Sequence, residues 1–152
     1  MNKLIKLNSE KDTLDTGAKL AECWMKNLKP LVVYLDGNLG VGKTCFARGF
    51  IKYFGFDKVK SPTYTIVESY TKDDINIYHF DLYRINDPEE LELIGIRDYE
   101  YNIYAQLIEW HNLGLAFILK PDIIVNIKDD SSSLNIETKS EYAKDLLQCI
   151  KN

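Results

Sequence analysis

The stretch Gly37-Asn38-Leu39-Gly40-Val41-Gly42-Lys43-Thr44 matches the Walker A pattern, which is a glycine, four unspecified residues and then Gly-Lys-Thr or Gly-Lys-Ser. Residues 31–35, before it, are apolar and predict a buried strand. After it, apolar residues recur at helical spacing, and Gly55 suits a left-handed helix cap. The motif requires this order of strand, loop and helix, so the sequence predicts a nucleoside triphosphate site rather than a glycine-rich turn with a solvated lysine.

Each residue type in this loop has a physical reason. Glycines let the backbone curl so that successive N–H groups face phosphate oxygens, and a helix N-terminus adds partial positive charge. Lys43 is placed to reach the β and γ phosphates, and the Thr44 hydroxyl can bind Mg²⁺. The predicted nucleotide-binding stretch comprises Asn38, Leu39, Gly40, Val41, Gly42, Lys43, Thr44 and Cys45.

The length and charge of the chain limit the function classes. A chain of 152 residues is most simply a single domain, here residues 1–152, that buries its own core. No stretch reaches the length of a membrane span and residues 1–6 lack a signal-peptide core, so we expect a cytoplasmic protein without membrane contact. A net charge of −4 argues against a broad surface for RNA or DNA, so if a nucleic acid is involved we expect a partner to carry it.

The cysteines predict neither a disulfide framework nor a zinc site. Cys23, Cys45 and Cys149 are odd in number and far apart, without a paired C-x-x-C motif. We therefore expect reduced thiols, with Cys45 packing at the start of the helix after the loop.

Apolar patterning predicts an α/β protein. Ser9 and Asp12 resemble a capping box for a helix that ends near Lys29-Pro30. Residues 64–70 and 75–80 read as an antiparallel hairpin, which beside the phosphate-loop strand implies a mixed sheet. Further strands are predicted at residues 3–7, 105–109, 123–127 and 134–138, and helices are predicted to start at Asp87 and after Ser140. The expected architecture is a P-loop NTPase-like three-layer sandwich with a mixed parallel and antiparallel central sheet.

Two carboxylates qualify for the chemistry of a triphosphate site. Asp81 and Glu109 each end an apolar run, the position of a Walker B acid, although either would also suit a plain loop start. Thr63 and Thr65 lie in a hydroxyl-rich segment that either senses the γ-phosphate or is simply an edge of the hairpin. His79, flanked by aromatic residues, is predicted to be a buried, hydrogen-bonded core histidine rather than a ligand.

Five segments, taken in order and at their separations, resemble the bacterial TsaE family, also called YjeE. They are G-N-L-G-V-G-K-T, S-P-T-Y-T, Y-H-F-D-L-Y-R, D-P-E-E-L-E-L-I-G-I-R-D-Y and L-I-E-W, and the resemblance is close over residues 31–110. It implies a small, slow ATPase that serves the threonylcarbamoyladenosine modification of tRNA together with the proteins TsaB and TsaD. The implied cofactors are ATP and Mg²⁺.

The resemblance also implies residue roles. Lys43 would hold phosphates, Thr44 and Glu109 would bind Mg²⁺, and Asp81 would be the Walker B acid, so the expected catalytic residues are Lys43, Asp81 and Glu109. Thr63 and Thr65 would belong to a mobile loop over the γ-phosphate, and Trp110 would lie close to the nucleotide.

The chain departs from the family pattern in two places. His111 and Asn112 stand where a small residue and an acid are usual, which we expect to alter that rim of the pocket. Residues 133–135 lack the arginine that many members carry before the last strand, so an arginine contribution from this segment is not expected.

Three other functions are compatible with a phosphate loop. A small-molecule kinase closes an arginine-bearing lid, but Arg48, Arg84 and Arg97 lie in no lid-like insertion. A GTPase normally shows an N-K-x-D sequence, for which residues 126–129 are out of register. The third is a nucleotide-dependent assembly factor in which hydrolysis is incidental.

Overall fold

The computed structural model describes residues 1–151, in which seven strands form one sheet. The strands are β1 (Asn2–Lys6), β2 (Leu31–Asp36), β3 (Val67–Lys72), β4 (Ile75–Asp81), β5 (Ile103–Glu109), β6 (Ile123–Ile127) and β7 (Ser133–Thr138). The α-helices are α1 (Glu10–Met25), α2 (Lys43–Lys52), α3 (Glu90–Leu93) and α4 (Glu141–Lys151). Short 3₁₀ helices follow at Ile96–Tyr99 and His111–Leu113.

The sheet is mixed, with a parallel centre. Its order is β1-β7-β6-β2-β5-β4-β3, in which β6, β2, β5 and β4 pair in parallel and the outer pairings are antiparallel. The carboxyl ends of the four parallel strands therefore meet at one edge, where open α/β sheets bind ligands. This confirms the predicted α/β class and mixed sheet.

Helical segments cover both faces of the sheet. One face packs against α1, α2 and α4 in a core that includes the fully buried Trp24, Phe46 and Phe50. The other face, with Phe80 and Ile108, packs against α3 and the segments on either side of the 3₁₀ helices. The second covering layer is thin because α3 is a single turn of four residues.

Helices α1 and α2 pack with their backbones in direct contact. A Cβ atom at Gly17 would overlap the carbonyl oxygen of Phe46, and one at Gly49 would overlap that of Leu14. Only glycine fits such positions without moving one helix. Because α2 begins at Lys43, this contact fixes the helix that ends the phosphate loop.

Element boundaries differ from the sequence prediction where local contacts override propensity. Strand β3 begins at Val67 rather than at residue 64, because Ile66 has φ 70° and its N–H bonds to the Pro62 carbonyl at 2.8 Å. Helix α1 ends at Met25, several residues before the predicted Lys29-Pro30. The predicted capping box does not form: the Ser9 hydroxyl makes no capping bond, and the Asp12 carboxylate accepts the N–H of Asn8, the residue before the cap, at 2.7 Å.

The prediction of reduced thiols is wrong for two cysteines. Cys23, in α1, is bonded to Cys149, in α4, across a sequence separation of 126 residues, and Cys45 is the free thiol among the described residues. The disulfide forms because α1 and α4 pack together on the same face of the sheet, a tertiary contact that residue spacing does not encode.

Within residues 1–151, none of the helices combines the length and the apolar character that crossing a membrane requires.

Candidate functional site

The phosphate loop joins the end of β2 to the start of α2 at the carboxyl edge of the sheet. Gly42 precedes the helix with φ 118°, in the region that favours glycine, so a side chain there would be strained. The first backbone N–H groups of a helix have no intrahelical acceptor, and the helix dipole adds positive potential at that end. The loop therefore has the backbone of an anion-binding site.

Lys43 places a buried cation at this helix start. Its side chain is 5% exposed, and its ammonium donates to the Gly37 carbonyl at 2.7 Å. Burial lowers the pKa of Lys43, although the charges of Glu109, Asp81 and Asp36 oppose that shift. A desolvated ammonium is stabilised by a nearby anion, so a phosphate in the loop would offset the cost of burying Lys43.

Asp81 and Glu109 lie side by side across from the loop. They end the neighbouring parallel strands β4 and β5, and the two residues are paired in the strand register. The Thr44 hydroxyl lies 3.1 and 3.0 Å from the two carboxylate oxygens of Glu109. Burial raises the pKa of Asp81, partly offset by a hydrogen bond from the Tyr83 N–H. The structure thus brings the predicted Thr44, Asp81 and Glu109 together.

His79 is a buried, hydrogen-bonded histidine, as the sequence predicted, but its partner is part of this carboxylate cluster. Its ring is 0% exposed, and its Nε2 lies 2.6 Å from Oε2 of Glu109. Sequence reasoning missed this contact. The available signal was strand alternation, because His79 and Asp81 are two residues apart and so point to the same side of β4.

A cleft of about 820 Å³ runs along the loop. The predicted site residues that line it are Leu39, Gly40, Val41, Gly42, Lys43, Thr44, Cys45, Thr63, Asp81, Glu109 and Trp110. The Trp110 ring covers the Lys43 ammonium, with 3.7 Å between the nitrogen and the ring centroid. Most of the predicted set therefore faces one volume.

Two predicted residues lie elsewhere. Asn38 lines a smaller neighbouring cavity of about 310 Å³, and its amide donates to Asp129 at 2.6 Å. Thr65 is exposed, is not among the residues that line either cavity, and donates its hydroxyl to Glu68 at 3.0 Å.

The predicted sensor segment is a turn over the cleft. Thr63 lines the cleft, and its hydroxyl lies 2.6 Å from that of Ser61. The next residue, Tyr64, is 84% exposed and carries the Arg84 guanidinium 4.7 Å from its ring centroid. Arg84 itself lines the cleft. The turn therefore contacts, through Tyr64, a cation that also lines the cleft.

Several other lining residues were not predicted from the sequence. They come from the start of α1, from the segment after β4 and from the turn before β7: Ser9, Glu10, Thr13, Tyr83, Arg84, Asp130, Ser131 and Ser132. Tyr83 and Arg84 gave a signal, since they end the Y-H-F-D-L-Y-R segment.

The residues at which the chain departs from the family pattern do not line the larger cleft. His111 stacks on Tyr34, with ring centroids 4.3 Å apart, and burial lowers its pKa. Asn112 lines the smaller cavity. In the described chain, Arg84 is the arginine that lines the larger cleft, and residues 133–135 lie in β7 instead.

The donor set suits a hard cation and a polyphosphate. Thr44, Asp81 and Glu109 offer oxygen ligands, and Mg²⁺ in nucleotide sites typically takes one or two carboxylates, waters and phosphate oxygens. Among residues 1–151 no group of three or more His, Cys, Asp or Glu side chains is arranged to hold a metal. The residues therefore fit a cation that is shared with a bound phosphate better than one enclosed by protein alone.

Comparisons with known proteins point to one family. Residues 7–141 match the family model "Threonylcarbamoyl adenosine biosynthesis protein TsaE". A tRNA threonylcarbamoyladenosine biosynthesis protein TsaE of Haemophilus influenzae is 43% identical over 141 residues, which cover 90% of this chain and 89% of the relative. The protein of the same name from Rickettsia typhi is 38% identical over 146 residues, 93% and 98% of the two chains.

A solved structure shares the fold. The crystal structure of Bacillus subtilis YdiB superposes with a TM-score of 0.75 at 22% identity, covering 99% of this chain and 95% of that one. Together with the family match over most of its length, these likenesses establish that the chain belongs to the TsaE family.

Proposed function

We propose that this protein binds ATP with Mg²⁺, hydrolyses it slowly, and thereby supports the threonylcarbamoyladenosine modification of tRNA. The observation that carries the ATPase proposal is the convergence of Lys43, Thr44, Asp81 and Glu109 at one end of the cleft. The names of the relatives supply the pathway.

In this proposal each residue has a distinct task. Lys43 and the loop amides hold the phosphates, because they present the buried cation and the free helix N–H groups described above. Thr44 and Glu109 hold Mg²⁺, which when bound neutralises charge on the phosphate oxygens. Asp81, the Walker B acid, lies beside Glu109 and orients the attacking water.

The cleft divides into a phosphate end and an outer end. In this proposal the nucleoside occupies the outer end, beside the lining residues from the start of α1 and from the turn before β7, and the Ser131 hydroxyl anchors that turn by donating to the Val41 carbonyl at 2.9 Å. Trp110 lies at the phosphate end, over Lys43. In this proposal Thr63, which also lines the cleft, senses the γ-phosphate.

The proposed partners are TsaB and TsaD, as the family resemblance implies. A net charge of −4 supports an indirect relationship with tRNA, through these partners, because direct binding draws on clustered basic residues. We place this activity in the cytoplasm, where the tRNA substrate would be found.

The first test is nucleotide binding by calorimetry. Lys43→Ala should abolish binding of ATP and ADP, whereas Lys52→Ala, which removes an exposed lysine from the other end of α2, should bind as the wild type does. Glu109→Ala should still bind nucleotide in the absence of Mg²⁺ but should lose Mg²⁺-dependent hydrolysis. Hydrolysis by purified Lys43→Ala protein would overturn the assignment.

The second test measures phosphate release with and without TsaB and TsaD. We expect slow release by the protein alone and faster release when both partners are present. Transfer of the phosphate to a small acceptor instead of water would identify a kinase and contradict the proposal.

A further inference from the structure

His79 makes one polar contact with the site, although it lies beneath the cleft rather than in its lining. It sits on β4, two residues before Asp81, with its ring fully buried. Its Nε2 lies 2.6 Å from Oε2 of Glu109, which is a short hydrogen bond. A histidine that served packing alone would gain nothing from this polar contact, and an apolar residue would fill the same space without the desolvation cost.

The other ring nitrogen indicates which proton His79 carries. Nδ1 is buried and has no hydrogen-bond partner. A proton on Nδ1 would bury an N–H without an acceptor, which costs more than leaving a bare lone pair there. The geometry therefore favours a proton on Nε2, donated to Glu109.

Glu109 is consequently held from two sides. His79 donates from inside the sheet, and the Thr44 hydroxyl reaches both carboxylate oxygens from the first turn of α2. A carboxylate has about four lone-pair positions, so two donors leave others free. Glu109 also lines the cleft, so a cation bound there can use the positions that remain.

We propose that His79 is a positioning residue that locks the Glu109 carboxylate in the orientation that accepts a divalent cation. The inference rests on the proposed function, because it assigns His79 a task at the same Mg²⁺ site. It adds a residue that contacts neither nucleotide nor metal. Groups of this kind, which orient a ligand from behind, typically change metal affinity by about 10- to 100-fold when they are lost.

The test compares nucleotide affinity with and without Mg²⁺. Calorimetry with a non-hydrolysable ATP analogue gives the affinity gained from Mg²⁺, which is a binding readout independent of turnover. In His79→Leu this gain should fall by about 10- to 100-fold, while Mg²⁺-free affinity stays within a few-fold of the wild type. His79→Gln, whose amide N–H can replace Nε2–H, should restore most of the gain.

A matched control separates positioning from general destabilisation. Gln106 is also buried and polar, lies on the neighbouring strand β5, and donates to the Tyr99 carbonyl at 2.8 Å without touching Glu109. Gln106→Leu should lower thermal stability and leave the Mg²⁺ gain unchanged. A wild-type Mg²⁺ gain in folded His79→Leu protein would overturn the inference.

The wild-type protein provides a second measurement if the variants do not fold. Nitrogen-15 NMR of the imidazole rings distinguishes the tautomers, and the chain has only two histidines to assign. A proton on Nε2 of His79 supports the inference, and a proton on Nδ1 contradicts it. Absence of analogue binding by the wild type would instead refute the proposed function and leave the tautomer result standing.

Discussion

The Lys43 ammonium lies 3.7 Å from the centroid of the Trp110 ring, close enough for a cation–π interaction. Trp110 adopts φ 59° directly after β5, and this left-handed turn carries its ring back over the phosphate loop. The ring therefore fixes the position of the cation at the phosphate end of the cleft.

Replacing Trp110 should weaken nucleotide binding. A cation–π contact contributes about 0.5–2 kcal/mol, so we expect ADP to bind about 2- to 30-fold more weakly to Trp110→Leu in calorimetry. Trp110→Phe keeps an aromatic face and should lose less. Unchanged affinity in the leucine variant would show that the ring does not hold Lys43.

Asp81→Asn should stabilise the protein at neutral pH. Burial is the main cause that raises the pKa of Asp81 above its ordinary value of 3.8, so the native state binds this proton more tightly than the unfolded chain does. The stability contribution of Asp81 is therefore fully present below pH 3.8 and is lost as the pH rises through its native pKa. Asparagine does not ionise, so the variant does not lose this stability as the pH rises. Its side-chain oxygen can still accept the Tyr83 N–H.

Thermal unfolding across pH checks the sign of this effect. The Tm of Asp81→Asn should exceed that of the wild type at pH 7, by about 2–4 °C for each kcal/mol gained, and the difference should shrink as the pH is lowered. Asp57→Asn, at an exposed aspartate, should show no such trend. A lower Tm for Asp81→Asn at neutral pH would mean that the charge stabilises the fold.

Thr63 and Thr65 should differ in their effect on nucleotide discrimination. Thr63 lines the cleft, whereas the Thr65 hydroxyl bonds to Glu68. A hydrogen bond to a charged phosphate contributes about 1.5–3 kcal/mol, so Thr63→Ala should reduce the preference for ATP over ADP by about tenfold or more. Thr65→Ala should change it by less than about twofold. Equal effects would refute the sensor role of Thr63.

The Cys23–Cys149 bond should be detectable by thiol counting. Alkylation of the unfolded, unreduced protein followed by mass spectrometry should modify Cys45 alone, and reduction should expose two more thiols. Reduction should also cost about 2–4 kcal/mol of unfolding free energy. Three free thiols before reduction in aerobically purified protein would contradict the assignment.

Local patterns predicted most of the fold. Strand β6 occupies the predicted residues 123–127. A short apolar run between a proline and a polar turn is too short for a buried helix and so favours a strand. The cap of α4 also follows its sequence signal, with the Ser140 hydroxyl accepting the Ala143 N–H at 3.1 Å. Such features depend on neighbours within a few residues, which the sequence displays directly.

Features that depend on residues far apart in the sequence could not be predicted from local patterns. Residues 63–66 have strand-forming side chains, but they form a turn that ends at the left-handed Ile66, and Thr63 of this turn lines the cleft. The contact between His79 and Glu109 requires the register of two strands, and the Cys23–Cys149 bond requires the packing of α4 on α1. The Walker A loop was predictable because one continuous stretch carries its whole chemistry.

The contact of α1 with α2 at Gly17 and Gly49 links the phosphate loop to a part of the protein far from the cleft. With no side chain between the two backbones, there is no compressible layer to absorb a change in their spacing. A methyl group added at either glycine would displace the helix whose first turn begins with Lys43 and Thr44. The placement of Lys43 and Thr44 therefore depends on two positions where nothing larger than a hydrogen atom fits.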